Sequence, residues 1–171
     1  TILLGLGSMF LAFAYPFMKR ITYWPQLFLG LTFNWGMVMG YTSILNEISF
    51  EIVILYISAI FWTLGYDTIY GVQDLVDDEI IGIKSTSIKF KKKIKLFVSA
   101  CYFINSILII YLFFDYIGIN LSTLLMIAFF STLIYQIKIF NKTNPEKCLK
   151  AFKINNFSGL ILFLGILSFT I

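Results

Sequence analysis

The chain contains no histidine, which removes Ser-His-Asp and Cys-His catalysis and any His-ligated zinc site. Cysteine occurs twice, Cys101 in an apolar run and Cys148 in a basic segment, so no disulfide framework exists and both read as free thiols. Charge is scarce, at 13% of 171 residues, and only nine side chains are acidic. No low-complexity linker and no stretch of soluble-domain composition interrupts the sequence. The first residues lack the basic n-region and cleavage site of a signal peptide. The chain starts at Thr1 within an apolar segment, without an initiator Met, and reads as the carboxyl-terminal part of something longer.

Hydrophobic residues are abundant instead, at 59%, with 19 Phe and 10 Tyr. That composition excludes an ordinary soluble domain and places the chain in a bilayer, where lipid solvates most side chains. A hydrocarbon core of about 30 Å needs about 20 apolar residues per helix. Six segments qualify: residues 1–17, 26–45, 50–70, 94–114, 118–138 and 155–171. Pro16 and Pro25 are expected to bracket the first loop, residues 46–49 to form the second and residues 115–120 the fourth. The expected fold is an all-α membrane bundle.

All thirteen Lys and Arg residues fall into three clusters: Lys19 with Arg20, residues 84–95, and residues 138–153. With six spans these are the first, third and fifth loops, all on one side. The second and fourth loops carry Glu47, Glu51 and Asp115 and no base. The positive-inside rule makes the basic face cytoplasmic and puts Ile171 on the opposite side. The lysines around residues 89–95 read as topology signals and anionic-lipid contacts. Loops this short between spans exclude nucleic-acid binding.

Five of the nine acids cluster in YDTIYGVQDLVDDEIIGIKSTS, residues 66–87, directly after an apolar run. Carboxylates at a membrane boundary are costly unless a positive charge lies beside them. If the helix continues at about 100° per residue, Asp67, Asp74 and Asp78 fall within about 40° of each other, with Gly71 leaving room on the same stripe and Asp77 about 80° away. An oxygen-only row suits Mg²⁺, which binds one or two carboxylates plus substrate phosphates. Asp74 and Asp78, which repel at i, i+4, are the candidate metal ligands; without a cation such a pair shares a proton. Asp77 and Glu79 read as a solvated helix end. Asp67, one turn deeper, can ligate metal, stabilise a nearby cation or hydrogen-bond to a tyrosine.

A second constellation, Tyr15, Lys19 and Arg20 in YPFMKR, lies on the same face of the membrane. Lys19 can neutralise a phosphate and Arg20 can bind a carboxylate bidentately, although both also serve as topology charges. Lys84 is a third candidate phosphate contact; the GIKS string around it lacks P-loop spacing. Asn155 and Asn156 are expected to cap the final helix, and Asn34 to face the bundle interior.

YPFMKRITYWPQLFLGLTFNWG, YDTIYGVQDLVDDEIIGIKSTS and CLKAFKINNFSGLILFLG together resemble the UbiA-type intramembrane prenyltransferases, and within them those acting on 4-hydroxybenzoate, over essentially the whole chain. The resemblance implies a bundle of about nine helices, of which these are the last six, and transfer of a polyprenyl group from polyprenyl diphosphate to 4-hydroxybenzoate in ubiquinone biosynthesis. It implies a bacterial inner membrane with the active face cytoplasmic. It makes Asp67 and Lys19 the catalytic candidates, Tyr15, Lys19, Arg20 and Lys84 the substrate contacts, and Asp74 and Asp78 the Mg²⁺ ligands. The family's first Asp-rich motif is not in this chain and would lie in the missing amino-terminal part of the same enzyme, so the segment alone is expected to be inactive. Gly71 stands where the family usually has Ala. The alternatives are a prenyltransferase for another aromatic or lipid acceptor, and a membrane transport or channel module in which the Asp row forms a cation pathway.

Overall fold

The computed structural model describes residues 1–169, so the expected placement of Ile171 lies outside the described residues. Among the described residues eight α-helices follow one another: α1 (Ile2–Ile21), α2 (Pro25–Leu45), α3 (Phe50–Tyr70), α4 (Leu75–Ile81), α5 (Thr86–Lys89), α6 (Ile94–Leu112), α7 (Leu121–Ile139) and α8 (Pro145–Leu167), with a 3₁₀ turn at Phe114–Tyr116. No strand occurs among the described residues. Helices α1, α3, α6, α7 and α8 are each long and apolar enough to cross a membrane. Helix α2 has 21 residues but is diluted by Gln26, Thr32, Asn34 and Thr42, and falls short of that measure. It packs against both α1 and α3 and completes the six long helices.

Two boundaries differ from the sequence reading. Pro16 lies inside α1 rather than ending it, so Lys19 and Arg20 occupy the last helical turn. A proline removes one backbone donor, and the helix carries through that single loss. Helix α8 begins ten residues before the expected start, at Pro145, and is capped by the Asn144 side chain, which accepts from Lys147 N. The lysines along its first turns look like loop residues in sequence, but long Lys side chains reach the interface from a helix. Asn155 and Asn156 therefore lie within α8 and cap nothing. Cys101 and Cys148 are free and buried, with Cys148 on α8.

The core lies where α3, α6, α7 and α8 meet, around Ile69, Val98, Tyr102, Phe129 and Ala151. Between apolar helices in lipid, water provides no drive to associate, so small residues and polar contacts hold the bundle. Each principal interface has one. Trp35 Nε1 donates to Leu4 O at 2.9 Å between α1 and α2, and Asn34 Nδ2 donates to Thr63 Oγ1 at 2.9 Å between α2 and α3. Asn34 thus faces inward, as expected. Asn105 Nδ2 donates to Ser58 Oγ at 2.8 Å between α6 and α3, Tyr102 donates to Gln136 Oε1 between α6 and α7, and the Thr132 and Ser158 hydroxyls are hydrogen-bonded at 2.7 Å between α7 and α8. Gly65 lets Tyr102 lie directly on α3: a Cβ there would come within 2.5 and 2.8 Å of the ring.

Candidate functional site

The site is built at the end of the bundle where α1 and α3 finish. Helical spacing carries Tyr15 and Lys19 onto one side of the end of α1. Tyr15 is half-buried, whereas Lys19 and Arg20 are exposed. Lys19 is close enough for its charge to act on both Asp67 and Asp78, and the charge of Asp67 in turn reaches the Tyr15 hydroxyl. No direct ion pair joins Lys19 to either acid; the ion pair among the described residues is Lys91 with Glu79, at 2.6 Å. Arg20 has no polar partner among the described residues and is not brought into this group.

The single continuous Asp stripe does not form. Helix α3 stops at Tyr70, and residues 71–74 make a tight turn through Val72 N to Ile69 O and Gln73 N to Tyr70 O. The turn returns Val72 and Leu75 to the core, each only 8% exposed, where a straight helix would carry the chain onward past it. Asp67 therefore belongs to the end of α3, while Asp74 and Asp78 belong to α4. Asp74 is the N-cap residue of α4 but makes no side-chain cap bond, and its carbonyl accepts from Asp78 N at 2.8 Å. The two carboxylates thus keep their i, i+4 relation. Partial burial holds the Asp78 carboxyl above the usual carboxylate range; Lys19 works against this, while Asp74 and Asp77 add to it. The direction agrees with a repelling pair, but burial is the larger cause.

What fixes this turn is the string after it, residues 84–87, whose role the sequence reading missed. Lys84 N donates to Lys19 O at 2.8 Å, and its ammonium donates to Ile21 O at 3.2 Å while lying 5.7 Å from the centre of the Tyr23 ring. Thr86 N donates to Gln26 Oε1 at 2.9 Å, Thr86 and Thr68 share a hydroxyl hydrogen bond at 2.7 Å, and Ser87 Oγ donates to Thr68 O at 2.8 Å. All four of Gln26, Thr68, Thr86 and Ser87 are buried. The space beside Gly71 is not free for a ligand: a Cβ there would meet Ser87 Oγ at 2.7 Å and Gln26 Nε2 at 3.3 Å. The clue in the sequence was Gln26, an amide directly after Pro25 at the start of an apolar run, where a polar side chain needs a partner.

Deeper between α2, α3 and α8 lies a cavity of about 290 Å³ lined by Asn34, Trp62, Thr63, Tyr66, Phe152 and Asn155, among others. Trp62 Nε1 donates to Asn155 Oδ1 at 3.1 Å, which replaces the capping role expected of Asn155. The rings of Trp62, Tyr66 and Phe152 contact one another in sequence, edge-on and tilted. The result is an aromatic chamber with three amides, Asn34, Asn155 and Asn156, whose Tyr66 wall directly precedes Asp67 in α3.

Among the described residues no group of three or more Asp, Glu or Cys side chains is gathered to hold a metal ion alone. Asp74 and Asp78 supply a partial, oxygen-only set on an accessible helix end, which fits a hard divalent cation completed by water and phosphate oxygens. The arrangement thus suits an anionic, phosphate-bearing group at the mouth and an apolar or aromatic body within.

Known proteins share both the sequence and the fold. The chain is 40% identical over 172 residues to the mitochondrial 4-hydroxybenzoate polyprenyltransferase of Bos taurus, covering 97% of this chain and 45% of that protein. It is 40% identical to the 4-hydroxybenzoate octaprenyltransferase of Serratia proteamaculans (97% and 57% covered) and 42% identical to 4-hydroxybenzoate geranyltransferase 2 of Lithospermum erythrorhizon (98% and 55% covered). The chain spans about half the length of the curated relatives it matches. The apo structure of a UbiA homolog from Aeropyrum pernix K1 superposes with a TM-score of 0.78 at 23% identity, over 99% of this chain and 64% of that one. The pattern of the UbiA prenyltransferase family matches residues 1–160, and with the relatives' identity over nearly the whole chain it establishes that this protein is a member of that family.

Proposed function

We propose that the chain supplies the mouth and chamber of an enzyme that transfers a polyprenyl group from polyprenyl diphosphate to 4-hydroxybenzoate. The observation that carries this reading is Lys19 within electrostatic reach of both Asp67 and Asp78, with an aromatic chamber walled by Tyr66, the neighbour of Asp67 on α3. The names of relatives about 40% identical supply the donor and acceptor classes. Lys19 binds the diphosphate and stabilises the charge that grows on it as the allylic C–O bond breaks. Lys84, which spends one of its three ammonium protons on Ile21 O, has two left for phosphate oxygens. Tyr15 and Arg20 complete the proposed substrate contacts, Arg20 being suited to a carboxylate. Asp74 and Asp78 would hold Mg²⁺, whose chemistry when bound is to neutralise the departing diphosphate. Asp67 provides negative charge beside the allylic cation, and the ring faces of Trp62, Tyr66 and Phe152 shield it from water until the acceptor carbon ortho to the phenol attacks and then gives up its ring proton to the released diphosphate.

The reading extends to the membrane and to the rest of the enzyme. We place the chain in a bacterial inner membrane with the basic loops, and therefore the mouth, on the cytoplasmic face. Two carboxylates neutralise only part of a diphosphate leaving group, so this segment is proposed to need the amino-terminal segment of the same enzyme for turnover. The test is to incubate the full-length enzyme with Mg²⁺, labelled polyprenyl diphosphate and a panel of aromatic acids. Prenylated 4-hydroxybenzoate as the main product is expected. Preference for another acceptor would overturn the substrate assignment, and transfer to none would overturn the reaction.

A further inference from the structure

The two largest lysine clusters, separate in sequence, meet in space. A cleft of about 670 Å³ is lined on one side by four lysines of residues 91–95 and on the other by Lys138, Lys142, Lys147 and Lys150. No acid lines it. Glu79 offsets Lys91 from outside, and seven lysines remain without an ion pair among the described residues. Eight cations facing one space are a like-charge cost that topology alone does not require, because scattering the same lysines over the loops would satisfy the positive-inside rule equally well. The floor is apolar and firm. Ile94 and Phe140 are 3% and 4% exposed, and the Cys148 thiol donates to Asn141 O beneath the rim.

Lys150 also borders a second hollow. This largely apolar groove of about 770 Å³ is lined by Ser131, Thr132 and Tyr135 of α7 and by Leu149, Ile154 and Phe157 of α8, with one acid, Glu146, and two bases, Lys150 and Lys153, on its α8 side. Its lining runs along both helices from the basic end of the bundle towards the middle of the span. A strongly basic cleft opening into an apolar groove is complementary to a molecule with an anionic head and a hydrocarbon tail. Basic pockets between transmembrane helices at this face are suited to phospholipid headgroups.

We propose that the cleft and groove together hold one anionic phospholipid of the adjacent leaflet, with its phosphodiester head among Lys142, Lys147 and Lys150 and one acyl chain between α7 and α8. This site is separate from the Asp-bearing mouth, and none of the residues assigned to the reaction lines either hollow.

The test uses the full-length enzyme in nanodiscs containing spin-labelled phosphatidylglycerol or spin-labelled phosphatidylcholine, with the motionally restricted fraction read by electron paramagnetic resonance. A restricted fraction with a clear preference for phosphatidylglycerol is expected. The triple variant Lys142→Gln, Lys147→Gln and Lys150→Gln should lower that preference by at least about tenfold, since each lysine near the surface contributes about 1 kcal/mol, or about fivefold. Lys89→Gln, outside both hollows and over the Trp24 ring, should leave it unchanged. Ser131→Phe should reduce restriction of the chain while leaving the headgroup lysines intact. Unchanged circular dichroism and melting of each variant would exclude unfolding as the cause. Equal restriction of the two lipids, or preference retained in the triple variant, would overturn the proposal. So would release of the lipid by millimolar inorganic phosphate or farnesyl diphosphate, which would make the cleft a site for a free anion. Absence of any restricted fraction would show that protein segments outside this chain cover the groove, and would overturn it equally.

Discussion

At the scale of single residues, similar side chains have different roles because of what surrounds them. Asp74, Asp77 and Asp78 lie within five positions, yet Asp74 and Asp78 are a helical turn apart on α4 and only Asp78 is half-buried. If Asp74 and Asp78 hold Mg²⁺ as proposed, Asp74→Ala or Asp78→Ala in the full-length enzyme is expected to reduce turnover by at least about 10², because loss of a metal clamp removes several kcal/mol of transition-state stabilisation. Asp77→Ala should be milder. Comparable small losses at all three positions, measured by product formation at saturating Mg²⁺, would make the acids structural. Gly65 is the opposite case, a residue with no chemistry and no slack. Gly65→Ala would drive a methyl into the Tyr102 ring, which is 2% exposed and anchored to Gln136, and should cost about 1–3 kcal/mol in thermal unfolding. The acids were legible in the sequence because charge next to an apolar run demands an explanation. Gly65 was not, since only the partner across the interface makes it special.

At the scale of elements, the spans are legible from hydropathy and charge, and the structure departs from them where a single local signal does not fix a boundary. Pro16 looked like a stop and is not; the lysines of α8 looked like a loop and are helical. The break after Tyr70 was invisible, because no proline marks it and its cause is tertiary: Val72 and Leu75 turn back to the core, and residues 84–87 dock against Gln26 and Thr68. Gln26→Leu should therefore destabilise the protein by about 1–3 kcal/mol, since it leaves the buried Thr86 N–H without an acceptor. It should also lower activity by loosening the segment, residues 84–87, that holds the end of α1. Gly71→Ala and Ser87→Ala form a matching cycle: the alanine at 71 collides with Ser87 Oγ, so the double variant should be more stable than the sum of the singles by about 0.5 kcal/mol or more. Additivity in melting measurements would show that the hydroxyl simply swings aside.

At the scale of the whole molecule, one end collects the finish of α1, the start of α2, the α3–α6 connection, the finish of α7 and the start of α8, and with them every Lys and Arg. A cysteine placed at residue 89 should accordingly react with an impermeant reagent in sealed inverted vesicles; protection there would reverse the orientation. Expression of this segment with and without a separately supplied amino-terminal segment, in cells lacking their own enzyme, should give prenylated product only with both. Product from the segment alone would show that one acidic motif suffices. The polar contacts that lock each helix pair also bear on how such a sequence can change over evolutionary time. Inserting one residue into α6 between Val98 and Asn105 would swing Asn105 and everything beyond it by about 100°, leaving Ser58 facing hydrocarbon with no donor. Inserting seven would restore the angle to within about 20° but displace Asn105 by about 10 Å along the axis, again past Ser58. Length variation among related chains should therefore be confined to the connections, above all residues 113–120, and almost absent between the first and last polar contact of any helix.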